Sequence, residues 1–147
     1  MTRPGRGSYL AVAGGSALGA VARDLVARGT LFLPGAAFPW GTLLVNVLGS
    51  FVIGGYATLT APEGRWVVTR EVRAFVMVGL CGGLTTFSIF SLETLLLVSE
   101  GRRVVAGGNL ALAFLLWIPA AWAGHMIGVR LNGRSTDGTR HHADPST

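Results

Sequence analysis

Long apolar stretches separated by short polar segments dominate the chain. Four of them reach the roughly 20 residues that a helix needs to cross a bilayer core. They run over about 9–28, 40–60, 72–98 and 104–129. The connections between them are short: Gly29 to Pro39, Ala61 to Glu71 and Ser99 to Arg103. After Arg130 the sequence becomes LNGRSTDGTRHHADPST, without periodic apolar positions, so 131–147 is expected to be a disordered polar tail behind a four-span membrane domain, 1–130. The pattern predicts an all-α integral membrane protein. Arg3 and Arg6 followed by an apolar run to Ala20-Val21-Ala22 also fit a cleavable signal peptide. Gly14, Gly15 and Gly19 interrupt that run, however, and Gly15 with Gly19 makes a small-xxx-small face for close helix packing. Similar small residues recur at Gly41, Gly49, Ser50 and Gly54, and at Gly107 and Gly108.

Composition agrees with the spans. Half of the 147 residues are apolar and only 13% are charged, against roughly 25% in a soluble domain, and mean hydropathy is +0.54. All 12 basic residues are Arg, set against 7 acidic ones. They lie in small groups between apolar runs, flanking spans, and do not form the basic face that nucleic-acid binding needs. With four spans, the side of both termini holds Arg3, Arg6, Arg65, Arg70, Arg73, Arg130, Arg134 and Arg140, and the other side Arg28, Arg102 and Arg103. Eight against three favours both termini in the cytoplasm. Cys81 is the sole cysteine, so no internal disulfide forms, and it does not complete a zinc site with three scattered His residues.

Chemistry concentrates in the third span, in Gly82-Gly83-Leu84-Thr85-Thr86-Phe87-Ser88-Ile89-Phe90-Ser91-Leu92-Glu93. Paired glycines followed by two β-branched threonines are poor helix formers, so this helix is expected to break at mid-membrane. In lipid a break must line a cavity or hold an ion; otherwise the segment is a packing groove whose hydroxyls bond back to their own helix. Phe87 and Phe90, three residues apart, share a helix face, where their electropositive edges suit a small anion or merely fill space. Asn46, within the second span, either joins helices or donates its amide to a ligand. Arg23 either snorkels or lines an electropositive vestibule, and Asp24 beside it points to a different face. Glu93 is a carboxylate well inside a span, fit for proton coupling or for structural hydrogen bonding. His125 reads as a helix-packing residue, and Pro119 is expected to kink the fourth span.

Gly14-Gly15 with Gly19-Ala20 and Arg23, Gly41-Thr42 with Val45-Asn46 and Gly49-Ser50-Phe51, and Gly82 to Ser88 with Phe90 together resemble the Fluc/CrcB family of fluoride channels. The resemblance covers three of the four spans in order. It implies a passive fluoride-selective export channel that lowers fluoride toxicity, and not an enzyme. It also implies a four-span subunit with a broken third helix, paired as an antiparallel dual-topology dimer with two pores and a structural sodium ion. On matching positions, Gly82 and Thr85 would offer backbone carbonyls to the sodium. Phe87 and Phe90 would be pore phenylalanines, with Thr86 and Ser88 beside them, Asn46 a fluoride donor, Arg23 a vestibule residue, and Glu93 the acidic residue after the second phenylalanine.

Two departures accompany the resemblance. Ile89 stands where the family usually carries Thr, and the fourth span has no Ser, Thr or Tyr from Leu110 to Val129, where a hydroxyl track often lies. With the arginine bias, these suggest that the chain pairs with an oppositely oriented homologue, as a partner subunit of a heterodimer, rather than with an inverted copy of itself. A proton-coupled small multidrug-type antiporter and a structural membrane subunit without transport are the rivals, and for the antiporter Glu93 would be the coupling carboxylate. No ATP-binding motif is visible.

Overall fold

The computed structural model describes residues 5–30 and 38–137, with side chains described through 133. Four helical stretches are long and apolar enough to cross a membrane: Arg6–Gly29, Trp40–Leu59, Arg70–Ser99 and Arg103–Gly133. No strand occurs among the described residues. The first two are single helices, α1 (Arg6–Gly29) and α2 (Trp40–Leu59). The third stretch is composite: α3 (Arg70–Ala74), a π-helix (Phe75–Cys81), α4 (Gly82–Leu84) and α5 (Phe87–Ser99). The last is α6 (Arg103–Asp137).

Local chemistry explains the ends. The hydroxyl of Thr69 caps α3 by accepting from the Val72 amide at 3.3 Å. The turn from α5 into α6 is tight because Gly101 takes φ +77°, a left-handed conformation open to glycine. Its amide donates to the Val98 carbonyl at 3.0 Å and that of Arg102 to Leu97 at 2.8 Å, a Schellman closure that satisfies the last carbonyls of α5. Further on, α6 continues through Pro119 without interruption.

Helices pair out of sequence order. The most extensive contact is between α2 and α6, and α1 lies along the third stretch. Both contacts depend on missing side chains. A Cβ on Gly15 would meet the Phe75 carbonyl oxygen and the Gly79 Cα, and one on Gly83 the Ser16 carbonyl. A Cβ on Gly124 would meet the Phe51 carbonyl, and one on Gly54 the Ala121 carbonyl. Without hydrophobic drive in lipid, such backbone proximity lets dispersion and polar contacts hold helices together. Gly107 and Gly108, expected to belong to a packing face, have open space at their Cβ positions, and Gly124 with Gly128 carries the α6 contact instead. His125 also joins these two helices: its Nδ1 lies 2.7 Å from the Thr58 hydroxyl.

The buried apolar core is small, made among the described residues of Leu43, Val45, Leu59, Cys81, Phe90, Leu97, Ala106 and Ala113. Large apolar side chains such as Leu10, Leu18, Val104, Phe114 and Ile118 point outward, an arrangement suited to lipid and not to water.

α6 stays helical to Asp137, into the stretch expected from the sequence to be a polar tail. Asn132 is anchored within this segment: its Oδ1 accepts from the Arg65 amide at 2.9 Å while its Nδ2 donates to the Thr58 carbonyl at 3.1 Å. These bonds bind the end of α6 to the last turn of α2 and the loop after it. Positions 138–147 lie outside the described residues.

Candidate functional site

Between α4 and α5 the backbone leaves the helical region at two residues. Thr85 has φ −80° and ψ 153°, and Thr86 has φ −153° and ψ 121°. Two extended residues inside a hydrophobic span free amides and carbonyls that lipid cannot solvate. Asn46 of α2 answers both groups of one residue. Its Oδ1 accepts from the Thr86 amide at 2.8 Å, and its Nδ2 donates to the Thr86 carbonyl at 3.0 Å. The hydroxyl of Thr86 turns forward and caps α5, accepting from the Ile89 amide at 3.2 Å. Thr85 turns back, its amide and its hydroxyl each donating to the Cys81 carbonyl at 2.9 Å.

This pattern has a consequence for carbonyl oxygens. The Thr86 amide would close a helical bond on Gly82, but it goes to Asn46, and the Ile89 amide that would reach Thr85 goes to the Thr86 hydroxyl. Gly82 is exposed, with open space where a side chain would stand. The carbonyls of Gly82 and Thr85 accept no hydrogen bond among the described residues. Free, hard carbonyl oxygens without carboxylates beside them suit a small cation of low charge.

A cleft of about 320 Å³ opens at the same place, lined by Asn46, Gly49, Ser50, Ile53, Met77, Cys81, Gly82, Thr85, Thr86, Phe87 and Trp117. Phe87 stands out from the chain, 72% exposed, whereas Phe90 is buried at 4%. Their rings lie 5.8 Å apart, and Phe90 in turn meets Trp117 edge-on at 4.8 Å. The Trp117 indole N–H reaches the Leu43 carbonyl at a long 3.4 Å. Ser88 is exposed and pairs with Thr86 at 3.2 Å.

Arg23 and Glu93 sit elsewhere, sharing a second cleft of about 270 Å³ with Ala20, Asp24, Ala27, Gly41, Thr42 and Ile89. Glu93 Oε1 accepts from the Thr42 hydroxyl at 2.9 Å, and its Oε2 is buried with no partner among the described residues. Asp24 pairs with Arg28 at 2.7 Å, one turn further along, rather than with its neighbour Arg23.

The residues singled out from the sequence thus fall into two groups. Asn46, Gly82, Thr85, Thr86 and Phe87 share one cleft, and Arg23 and Glu93 share the other. Phe90 and Ser88 flank the first through Phe87 and Thr86. Sequence reasoning passed over Trp117 and Asn109 and gave Thr42 no role of its own, although each is a hydrogen-bonding side chain within an apolar run. Asn109 is 1% exposed and donates to the Thr94 hydroxyl at 2.9 Å, placing a polar tie between α5 and α6 one residue before the stretch read as bare of hydroxyls.

Four apolar helices with a polar cleft beside an interrupted span define an integral membrane protein whose site lies within its membrane-crossing stretches. The family model described as "CrcB-like protein, Camphor Resistance (CrcB)" matches residues 10–125, and the chain belongs to that family. The Fluoride-specific ion channel FluC of Methylocella silvestris is 51% identical over 124 residues, covering 84% of this chain and 95% of the relative. That of Opitutus terrae is 52% identical over 124 residues, covering 84% and 94%. FluC 1 of Rhodopseudomonas palustris is 49% identical over 124 residues, covering 84% and 88%.

Proposed function

We propose that this chain is a subunit of a passive, fluoride-selective channel in a prokaryotic plasma membrane. The observation that carries the reading is the joining of Phe87, Asn46 and Thr86 in one cleft of a chain about half identical to fluoride-specific channels. Hydrogen fluoride crosses bilayers uncharged and dissociates in a neutral cytoplasm, which traps the anion. A selective leak exports it and needs no chemical step, so the protein acts as a conduit and not as an enzyme.

Selective conduction requires binding strong enough to replace part of the anion's water and weak enough to let it go. Ring edges and neutral N–H or O–H groups meet that requirement, whereas a fixed cation in the narrow path would hold fluoride too long. Arg23, half-buried in the second cleft, then serves as a vestibule charge that concentrates anions. The Thr42 hydroxyl holds the Glu93 carboxylate away from free rotation.

A single chain of four helices leaves Phe87 and Gly82 facing outward. An antiparallel dimer closes the open cleft with an oppositely oriented chain, and the interruption at Thr85 and Thr86 becomes the crossing point. Gly82 and Thr85 would hold a sodium ion there, its charge offsetting the carbonyl dipoles that each chain brings together. The eight-to-three arginine bias favours one fixed orientation, and hence pairing with a homologue inserted the other way. Cysteine labelling of both termini in whole cells tests the orientation, and equal labelling from both sides refutes it.

The functional test is anion efflux from liposomes bearing the purified protein, read with fluoride and chloride electrodes together. Fast fluoride efflux without chloride efflux supports the reading. Chloride efflux at a comparable rate, or silence from a folded protein both alone and with its co-expressed homologue, overturns it.

A further inference from the structure

Hydroxyl groups inside membrane helices ordinarily bond back to the carbonyl four residues earlier. Five among the described residues do so: Thr58 to Gly54, Thr60 to Tyr56, Thr85 to Cys81, Ser91 to Phe87 and Thr94 to Phe90. Ser50 does not. Its hydroxyl makes no hydrogen bond among the described residues, although the Asn46 carbonyl lies four positions before it. It is half-buried and lines the first cleft.

The other polar side chains of that cleft are committed. The Thr85 hydroxyl donates to Cys81, and the Thr86 hydroxyl is shared between Ser88 and the Ile89 amide. Asn46 spends its oxygen and one N–H on Thr86, which leaves the second N–H of its amide without a partner. Asn46 and Ser50 are four residues apart on α2, so they occupy the same helix face one turn apart. Two uncharged donors therefore line one cleft side by side, with no acceptor claiming either among the described residues.

We propose that Ser50 is an anion-contacting residue, its hydroxyl and the free N–H of Asn46 forming a two-donor station for a small hard anion. This rests on the fluoride-channel reading and deepens it by naming a binding residue on α2 besides Asn46. Neutral paired donors compensate part of a lost hydration shell without the strong grip of a charge.

The test uses the full chain in liposomes, together with its homologue if the assembly requires one, and compares wild type with Ser50→Ala and Ser50→Thr. Variants are taken forward only after they elute as the wild-type assembly does. Removing one hydrogen bond to an ion is expected to slow fluoride efflux about tenfold and to raise the half-saturating fluoride concentration. Ser50→Thr, which keeps a hydroxyl, is expected to restore both to within about twofold. Wild-type rate and saturation in Ser50→Ala overturn the proposal while leaving the channel reading intact. A Thr variant as slow as the Ala variant also overturns it, since bulk and not the donor would then decide. A wild-type assembly that passes no fluoride overturns the channel reading, and the proposal with it.

Discussion

Replacing Asn46 by Leu removes the side chain that holds the interruption of the third span. Asn46 is 4% exposed, and both its bonds reach the backbone of one residue, at 2.8 and 3.0 Å. Leu leaves the Thr86 amide and carbonyl unpaired, at about 1–3 kcal/mol each for a buried group. The cleft beside Thr86 lets water relieve part of that cost. A net of about 2–4 kcal/mol raises local opening at this point by roughly 30- to 1,000-fold. Hydrogen exchange followed by mass spectrometry on peptides covering 84–90 reads this directly, with peptides from α6 as the internal reference. Fluoride flux should fall as well, but exchange reports the staple independently of any role in conduction. Unchanged exchange across 84–90 in an assembled Asn46→Leu protein refutes the reasoning, because the two bonds would then contribute nothing to holding the extended residues.

Three further outcomes are expected. Phe87→Ile changes a side chain that is 72% exposed in its own chain, so stability should move by no more than about 0.5 kcal/mol while fluoride efflux is lost; a chemical melt alongside the efflux assay separates the two. Gly124→Leu drives a side chain into the Phe51 carbonyl and should abolish the α2·α6 contact, seen as loss of the monodisperse peak on size exclusion. Asn132→Ala unpairs the Arg65 amide and the Thr58 carbonyl, loosening the end of α6 by about 1–3 kcal/mol; limited trypsin digestion should cut faster after Arg130, and an unchanged rate would refute that role for Asn132.

The four spans were legible because length and hydropathy in a bilayer leave few alternatives. The third-span motif was legible as a place of interest for a local reason, since adjacent glycines and threonines disfavour helix. What that motif does could not be read locally. Asn46 stood open between joining helices and donating to a ligand, and its partner lies forty residues away at Thr86. The structure gives it the first task and leaves one N–H for the second. The π-helix of Phe75–Cys81 has no distinct local propensity to announce it. Small residues showed the same limit: Gly15 and Gly19 do pack against a neighbour, while Gly107 and Gly108 do not, because a small residue permits close approach without specifying which helix comes near. Asn132 shows a related limit, as the polar composition after Arg130 gives no local sign of its bonds to the Arg65 amide and the Thr58 carbonyl.

The interleaved pairing of helices, α1 on the third span and α2 on α6, bears on how such a chain is made. Spans enter a membrane in order of synthesis, so neither of the first two spans meets its principal neighbour immediately after insertion. When α2 is laterally released, the glycine face at Gly54 must wait for residues 121–128. During that interval Asn46 stands in hydrocarbon with no third span to bond. Each half of the chain is therefore a poor substrate for independent maturation. A ribosome stalled after α2 should leave a nascent chain that quality-control proteases remove, whereas one stalled after α6 should leave a protected protein.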